Sequence, residues 1–418
     1  MNKAALHQSI HSIHLHRSHH RSRLGALGIL SLGIAATVAV ASPPELLPVA
    51  TEIVAPVADH PATQRLITSS MAPAAINNAL NYPVSAVRFR AIKSQARTIP
   101  LAQNADLIPR TGGFRIMTSD ITTSFLGLDR PSATDQGSVF FPPNTTVAQS
   151  NSRVLEATNS AVRLFTNTGG VLATKGLTLF FGANPANGPL LSPKIYYDRN
   201  AGLRRFYMVA LQRNATTKVS TIWFAVSRSS DPGNLEPASW CRYAIEGKRD
   251  TGTSNESYAD QPGLGAGASA LLITTNQFKF AGNGFTFAIV RALNKIAVAN
   301  NAAACPVISP IYTFQPSAVL NNATVYALQP AQHYSSPSSF GGTSNPAYLV
   351  NSYWGTNNRY RVWRVRNVNV AGVVPTLQGP TDVIGTFTYG IPPDAPQIGT
   401  TVLLDTGDNR VTQVAGQG

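Results

Sequence analysis

Carboxylate side chains are the residues of this sequence whose chemistry best suits acid–base catalysis. Enzymes that cleave glycosidic bonds use two such groups, at a separation that is set by the mechanism. The candidates lie beyond residue 190 and are Asp198, Asp231, Glu256, Asp260, Asp382, Asp394, Asp405 and Asp408. Asp260, in YADQPGLG, directly precedes a predicted strand, so it is the first candidate for a catalytic role, with a structural or turn role as the alternative. Asp198 lies in a predicted hairpin turn, where aspartate is common.

Metal ligands are scarce in the sequence. The segment DTGD places Asp405 and Asp408 where their oxygens could bind calcium, but it lacks the 12-residue pattern of a dedicated loop, and a tight turn is the alternative. Six of the eight histidines lie within the first 20 residues, which leaves only His60 and His333 beyond them. The sequence therefore predicts no multi-histidine metal centre. It predicts no cofactor either, because it lacks a phosphate-binding glycine loop, a CxxC pair, an HExxH helix and a serine elbow.

Aromatic residues beside a polar loop offer a second kind of site. Tyr353, Trp354 and Tyr360 surround the segment GTNN, which is rich in Gly and Asn. Aromatic rings in such a position can stack on sugar rings, so we predict a ligand-binding platform here. The alternative for each ring is a place in the hydrophobic core.

The N-terminus has the pattern of a secretory signal peptide. Residues 1–23 are basic and contain no acid, and residues 24–41 are almost all apolar or small. The run ends in AVA, which predicts cleavage between Ala41 and Ser42. An uncleaved anchor is the alternative, because the apolar run is near the length that spans a bilayer. We predict a secreted protein, periplasmic or extracellular, with no membrane span once the signal peptide is removed.

The sequence is strongly basic. It has 33 Lys and Arg against 19 Asp and Glu, a net charge of +14. Residues 1–41 hold four of the basic residues and no acid, so the remainder carries a net charge of +10. This balance favours an acidic polymer or surface as partner; with export predicted, we do not expect nucleic acid. The densest basic segment, RYRVWRVR at residues 359–366, has the alternation of a strand and is also compatible with a solvated strand face.

The sequence contains two cysteines, Cys241 and Cys305. Export takes the chain to an oxidising compartment, so we predict that they form a disulfide bond. Two free buried thiols are the alternative.

The elements that must position these residues are β-strands. Residues 42–112 are rich in Pro and Ala and have no sustained period, so we predict a partly disordered lead-in. Over residues 113–418, short β-branched and aromatic runs alternate with turn residues, which is an all-β pattern. Groups of strands begin near residues 147, 191, 258, 326 and 392, which predicts a β-propeller with four-stranded antiparallel blades. A β-sandwich is the alternative. The last blade is expected to be incomplete or to be closed by the N-terminal segment.

Six stretches carry a resemblance to a known group of proteins. They are NTTVAQSNSRVLEATNSAVRLFTNTGGVLAT, SPKIYYDRNAGLRRFYMVAL, IWFAVSRSSDPGNLEPASWCRYAI, YADQPGLGAGASALLITTNQF, QPAQHY and IPPDAPQIGTTVLLDTGDNR. Through them, over roughly residues 125–412, the chain resembles secreted bacterial β-propeller-like proteins of uncharacterised function. The resemblance implies the propeller fold, and it implies no catalytic residues.

One turn resembles the Asp-box of sialidases. The box runs Ser-x-Asp-x-Gly-x-Thr-Trp, and Ser229, Asp231 and Gly233 match its first half. Trp240 lies nine residues after Asp231, where the box has its Trp after five, so the turn carries an insertion. In families that have it, the Asp-box is a hairpin turn away from the active site, so the resemblance implies a fold and no sialidase activity. Asp231 is expected to accept backbone N–H groups within the turn, and Trp240 to pack between blades.

The sequence predicts a binding protein rather than an enzyme. It shows no recognisable catalytic constellation, and its positive charge favours an acidic partner. We expect a monomer that holds a glycan or a cell-surface protein on one face, with Tyr353, Trp354 and Tyr360 in contact with the ligand. The alternative is a carbohydrate-active hydrolase or lyase that uses Asp260 and a second loop carboxylate as acid and base.

Overall fold

The structure is a computed structural model, and it describes most of the chain beyond residue 143 together with three earlier segments. The described residues are 44–57, 83–96, 124–128, 143–200, 202–249, 256–300, 302–319, 325–333, 346–355, 357–397 and 401–416. The predicted signal peptide, residues 1–41, lies outside the described residues, and so do the cleavage position between Ala41 and Ser42 and the side chain of His60.

The described residues form nineteen strands. These are β1 (Glu45–Leu46), β2 (Ala50–Val54), β3 (Thr146–Gln149), β4 (Arg153–Ala157), β5 (Ala161–Thr166), β6 (Val171–Gly176), β7 (Leu190–Tyr197), β8 (Phe206–Asn214), β9 (Val219–Ser227), β10 (Trp240–Glu246), β11 (Ser257–Ala266), β12 (Ala270–Lys279), β13 (Phe285–Asn294), β14 (Ile308–Phe314), β15 (Gln329–His333), β16 (Ala347–Ser352), β17 (Asn357–Arg366), β18 (Thr376–Tyr389) and β19 (Val414–Gly416).

Helices are few and short in the described segments. The α-helices are α1 (Ala86–Ala96), α2 (Leu177–Phe181) and α3 (Lys295–Asn300). Four 3₁₀ turns cover Pro185–Asn187, Pro237–Ser239, Ala302–Ala304 and Pro316–Val319. None of the helices in this part of the chain has the length and apolar character that crossing a bilayer requires.

The all-β class predicted from the sequence is confirmed. Strand residues make up 51% and helical residues 11% of the described chain. The strands differ in how many of their faces are covered. β8, FYMVALQRN, is a nearly continuous apolar run and is buried on both faces over its first seven residues, whereas β17, NNRYRVWRVR, alternates buried and half-buried positions. Strands of the first kind lie inside the molecule, and strands of the second kind have one face toward solvent.

Two of the sheets are four-stranded antiparallel meanders. β3 to β6 form one sheet, and β7 to β10 form the other. A hydrophobic cluster joins them through α2, with Leu164 of β5, Phe180 of α2, Met208 of β8 and Trp240 of β10 among its members. The sheets therefore share a core instead of each having its own.

The remaining strands form one continuous sheet, which contradicts the predicted propeller. Its path is β1-β18-β17-β16-β15-β11-β12-β13-β14-β2, with β19 paired to the side of β15. β11 and β15 pair in parallel, with Ala266 opposite Gln332. This pairing joins two meanders into a half-barrel of ten strands. The propeller prediction is wrong because the blades of a propeller are separate four-stranded sheets, and the two smaller sheets are not blades of such a ring.

Glycines allow the parallel pairing of β11 and β15. A Cβ atom at Gly265 would lie 2.6 Å from the carbonyl oxygen of Ala331, and one at Gly263 would lie 2.6 Å from Cδ of Pro330. Any side chain at either position would push the two strands apart. The segment GLGAG is thus part of a strand that another backbone approaches closely.

Part of the predicted lead-in belongs to the long sheet. β1 pairs with β18, with Glu45 opposite Gln378, and β2 pairs with β14, with Thr51 opposite Tyr312. N-terminal strands therefore lie at both edges of the ten-strand path. Covered edges have fewer unpaired backbone groups and are less prone to pair with another chain.

A disulfide bond joins Cys241 and Cys305, as predicted. Cys241 lies in β10, and Cys305 directly follows the 3₁₀ turn Ala302–Ala304. The two residues are 64 positions apart in the chain. The bond therefore ties the β7–β10 sheet to the segment that connects α3 with β14 of the long sheet.

Candidate functional site

Three tyrosines come together at the ends of β16, β17 and β18. We call these residues the tyrosine patch: Tyr353, Tyr360 and Tyr389, together with Arg361 of β17 and Asp382 of β18. The rings of Tyr360 and Tyr389 are tilted against each other with centroids 5.1 Å apart. The backbone N–H of Tyr353 donates to the hydroxyl of Tyr389 at 2.9 Å. All three tyrosines are half-buried, so each presents part of its ring to solvent.

The antiparallel register of three strands brings the patch together. Ser352 of β16 lies opposite Tyr360 of β17, and Arg361 lies opposite Asp382 of β18. Gly385 lies close to β17, because a Cβ atom there would lie 3.2 Å from the carbonyl oxygen of Asn358 and 3.5 Å, an ordinary contact distance, from Cε2 of Tyr360. The patch is therefore supported by paired backbone and not by a loose loop, which favours a preformed binding surface.

Charged side chains hold the first ring of the patch in place. The hydroxyl of Tyr353 donates to the carboxylate of Asp382 at 2.8 Å. The guanidinium of Arg361 lies 3.9 Å from the ring centroid of Tyr353, in cation–π contact. Arg359 lies 3.6 Å from the same carboxylate, and half of its side chain is exposed. The patch thus has a fixed ring and, at its rim, an exposed arginine.

The hydroxyls of Tyr360 and Tyr389 are neutral donors and acceptors. Burial raises the pKa of Tyr360 above its ordinary value. Burial also raises the pKa of Tyr389, against the opposing effect of the N–H donated by Tyr353. Both phenols therefore stay protonated at neutral pH and can form hydrogen bonds without carrying charge.

Two exposed apolar side chains lie further along β18. Ile384 is 64% exposed and Phe387 is 69% exposed. Tyr360 and Arg361 are consecutive in β17 and therefore point to opposite faces of the sheet, with Tyr389 beside Tyr360 and with Tyr353 beside Arg361. Each face thus has an aromatic ring and a phenol hydroxyl, which can stack on a flat apolar group and bind its polar substituents. The arrangement is suited to binding, and its described residues show no nucleophile activated by a base.

The structure places Tyr360 against Tyr389 and Tyr353 against Arg361, and it places Trp354 elsewhere. The ring of Trp354 lies 5.7 Å from Tyr326, edge to face, and 6.2 Å from Phe89 of α1. It packs against a separate aromatic cluster. Tyr389 takes the third position in the patch, and sequence reasoning missed it because only the pairing of β17 with β18 brings it near.

Asp260 lies in β11, at an irregularity in its pairing with β12 between Asp260 and Gly263. Its carboxylate accepts the backbone N–H of Gln261 at 2.8 Å. Gln261 has a positive φ of 52°, which is uncommon for a residue with a side chain. The charges of Asp260 and Asp408 both act on the phenol of Tyr326. The catalytic role of Asp260 stays a prediction.

The two calcium candidates each have a basic partner in the protein. Lys93 of α1 lies 3.4 Å from Asp405 and donates to Oγ1 of Thr406 at 2.8 Å. Asp408 accepts from Nε of Arg410 at 2.6 Å. Over the described segments, no group of three or more His, Cys, Asp or Glu side chains is arranged to hold a metal ion.

The turn that resembles an Asp-box connects two sheets. Asp231 accepts hydrogen bonds from the hydroxyls of Ser150 and Ser152 at 2.6 Å each, and from Ser230 at 2.9 Å. We expected backbone donors within the turn; the donors are hydroxyls, and two of them come from the β3–β4 connection of the neighbouring sheet. Trp240 is buried, and its indole N–H donates to a backbone carbonyl of the same turn at 2.9 Å.

The carboxylate of Asp231 makes this contact pH-dependent. Burial alone would raise its pKa, but the three hydroxyl donors and Arg153 lower it below the ordinary 3.8. A folded-state pKa below the unfolded value adds stability that is fully present above the unfolded pKa. That stability is lost as the pH falls through the folded pKa.

Asp231→Asn is therefore expected to lower the free energy of unfolding by about 1–2 kcal/mol at pH 7. The difference from the unmodified protein should shrink as the pH approaches 3, because the native carboxylate is then also losing its charge. Urea unfolding at a series of pH values measures this. A difference of equal size at every pH would contradict the assigned role of the charge.

Asp198, assigned to a hairpin turn, also forms a buried ion pair. Its Oδ2 lies 2.7 Å from Nζ of Lys295, and both side chains are 0% exposed. Its Oδ1 accepts the N–H of Asn200 at 2.9 Å, which is the turn interaction that we expected.

Burial, and then the charge of Lys295, lower the pKa of His333 to about 4, so His333 is neutral at pH 7.

Comparison with protein-family models gives no match, and comparison with curated proteins gives none either. The resemblance to secreted propeller-like proteins therefore stays a prediction, and the sheet topology replaces the fold that it implied. The function must be inferred from the residues of the site.

Proposed function

We propose that this protein is an exported binding protein that holds a glycan on the tyrosine patch. The observation that carries the proposal is the set of three half-buried tyrosines at the ends of β16 to β18: Tyr360 and Tyr389 pack ring against ring, and Tyr353 is stacked on the buried Arg361. Sugars offer flat apolar faces and a dense set of hydroxyls. Rings, neutral phenols and charged side chains match both features at once.

Export is supported by two independent features. The N-terminal sequence has a basic segment, an apolar run and a small-x-small cleavage pattern. The Cys241–Cys305 bond is of a kind that persists in oxidising compartments and is rare in the cytosol. Glycans of cell surfaces and extracellular matrices are found where such proteins are delivered.

The size of the patch favours a glycan over a protein partner. A tyrosine contributes about 150–250 Å² when it is fully buried, and the three rings of the patch are already half-buried. Their remaining area is well below the roughly 800 Å² that each partner of a stable protein complex buries. A few sugar units would cover such a surface.

Tyr360→Ala is expected to weaken glycan binding by about tenfold, because the loss of an aromatic anchor typically costs more than 1 kcal/mol. An array of neutral and acidic saccharides first identifies the strongest ligand, and calorimetry then compares the variants. Tyr348→Ala is the matched control, because Tyr348 is a half-buried tyrosine of β16 that stacks on His333 away from the patch.

Equal weakening by Tyr360→Ala and Tyr348→Ala would contradict the assignment of the patch. So would the absence of binding to every saccharide of the array by a protein whose fold is shown to be intact. Unfolding curves of both variants provide the check on folding.

A further inference from the structure

A lysine and an aspartate from two different sheets face each other where water does not reach. Nζ of Lys295 lies 2.7 Å from Oδ2 of Asp198, and both side chains are 0% exposed. Among the described residues, neither of these two atoms has a hydrogen-bond partner of ordinary geometry. Two polar atoms that have lost their water therefore touch each other without the hydrogen bonds that normally offset such burial.

The backbone fixes the positions of both side chains. Asp198 directly follows β7, and its N–H donates to the carbonyl oxygen of Arg205 at 3.0 Å, next to the turn of the β7–β8 hairpin. Lys295 directly follows β13, and its N–H donates to the carbonyl oxygen of Ser269 at 2.9 Å. The contact is therefore held between two hairpins by paired backbone on each side.

The second oxygen of the Asp198 carboxyl group has a different partner. Oδ1 accepts the backbone N–H of Asn200 at 2.9 Å, whereas Oδ2 faces the amine of Lys295. Attack of a nitrogen on a carboxyl carbon is helped by a donor at the oxygen where negative charge develops. The N–H of Asn200 is such a donor at Oδ1, which leaves Oδ2 as the oxygen that departs.

The dry surroundings favour the reactive form of the pair. Burial lowers the pKa of Lys295, against the opposing effect of the charge of Asp198. Transfer of one proton from the ammonium to the carboxylate gives a neutral amine beside a neutral carboxylic acid, which removes both charges from the interior. The neutral amine is the nucleophilic form of lysine. Well-aligned groups of one molecule react as if each were present at about 10⁵–10⁸ M.

We propose that Lys295 and Asp198 condense to an isopeptide bond, an amide between the two side chains. Nζ of the neutral amine attacks Cγ of the neutral acid, and the Cγ–Oδ2 bond breaks. Oδ2 leaves as water, with the acid proton and one proton of the amine. One C–N bond forms and no atom is oxidised or reduced, so the step needs no co-reactant. The ion pair is the starting state, and chains that have not reacted keep it.

The amide braces the same junction as the disulfide bond. β7 and β10 are the two outer strands of the sheet β10-β9-β8-β7. Asp198 follows β7 and Cys241 lies in β10, while their partners Lys295 and Cys305 both lie on the chain between β13 and β14. Each outer strand is thus tied to the same connection of the long sheet. This inference does not rest on the glycan proposal.

Mass spectrometry of the reduced and unfolded protein tests the proposal. The bond lowers the mass by that of one water molecule, and after proteolysis it joins Asp198 and Lys295 in one cross-linked peptide. We expect a reacted fraction that grows while the folded protein is incubated, and none in protein that is kept unfolded in urea over the same time. Lys295→Arg keeps the positive charge without the reactive amine, so it should keep its full mass.

The pair of Lys175 and Glu236 is the internal control. Its atoms are 2.6 Å apart, but its side chains are 24% and 56% exposed, so their peptides should stay separate. Full mass of the incubated, folded protein with no joined peptide would overturn the proposal, and so would an equal loss of water in Lys295→Arg. The measurement is made on the unmodified protein, so it is decisive even where Lys295→Arg folds poorly.

Discussion

Lys295→Met is expected to lower the free energy of unfolding by about 3–5 kcal/mol. The ammonium group of Lys295 lies 2.7 Å from Asp198, and neither side chain is exposed. Removing the lysine leaves a carboxylate with no counter-ion in a place that water does not reach. Breaking a buried pair by deleting one partner is costly for this reason, even where the intact pair adds little to stability.

A double variant separates the charge effect from packing. Asp198→Leu combined with Lys295→Met leaves no unpaired charge, so it should be more stable than Lys295→Met alone. The matched control is Lys175→Met, which breaks an ion pair of 2.6 Å whose side chains are 24% and 56% exposed. Surface pairs of this kind contribute about 1 kcal/mol or less.

Chemical denaturation of the four proteins measures these differences. A loss for Lys295→Met no larger than that for Lys175→Met would contradict the buried pair. The pKa of His333 is a second readout, because Lys295 contributes to lowering it to about 4. Its pKa should rise in Lys295→Met if the variant folds, and NMR of the imidazole signals follows this directly.

Replacing both Cys241 and Cys305 with alanine is expected to lower the free energy of unfolding by about 4 kcal/mol. The bond joins residues 64 positions apart, so it removes many conformations from the unfolded chain. Cys241 is also buried in a hydrophobic cluster that includes Tyr243 and Leu293. Removing the sulfur there also loses packing contacts, and this cost adds to the effect of the bond on the entropy of the unfolded chain.

Reduction provides the control for this prediction. A reductant should destabilise the unmodified protein by a similar amount and leave the double alanine variant unchanged. Counting free thiols in the unfolded state confirms that the bond was opened. If the unmodified protein keeps its full stability with two free thiols, the assigned contribution of the bond is wrong.

The sequence by itself determined the features that depend on short stretches of chain or on composition. The alternation in RYRVWRVR identified a strand with one covered face, and β17 has that pattern. The count of two cysteines with a predicted export signal identified the Cys241–Cys305 bond. Each inference holds because side-chain alternation along a strand and the number of cysteines do not depend on which strands become neighbours.

Only the tertiary structure decided how the strands combine. The spacing of strands and turns in a four-stranded meander is the same in a propeller blade and in a meander that pairs with another meander. The parallel contact between Ala266 and Gln332 therefore left no signal in the local sequence. The contacts of Tyr389 with Tyr360 and of Lys295 with Asp198 left no signal in the local sequence either. These contacts join distant parts of the chain, and their free energy comes from burial and charge pairing that exist only after the sheets have packed.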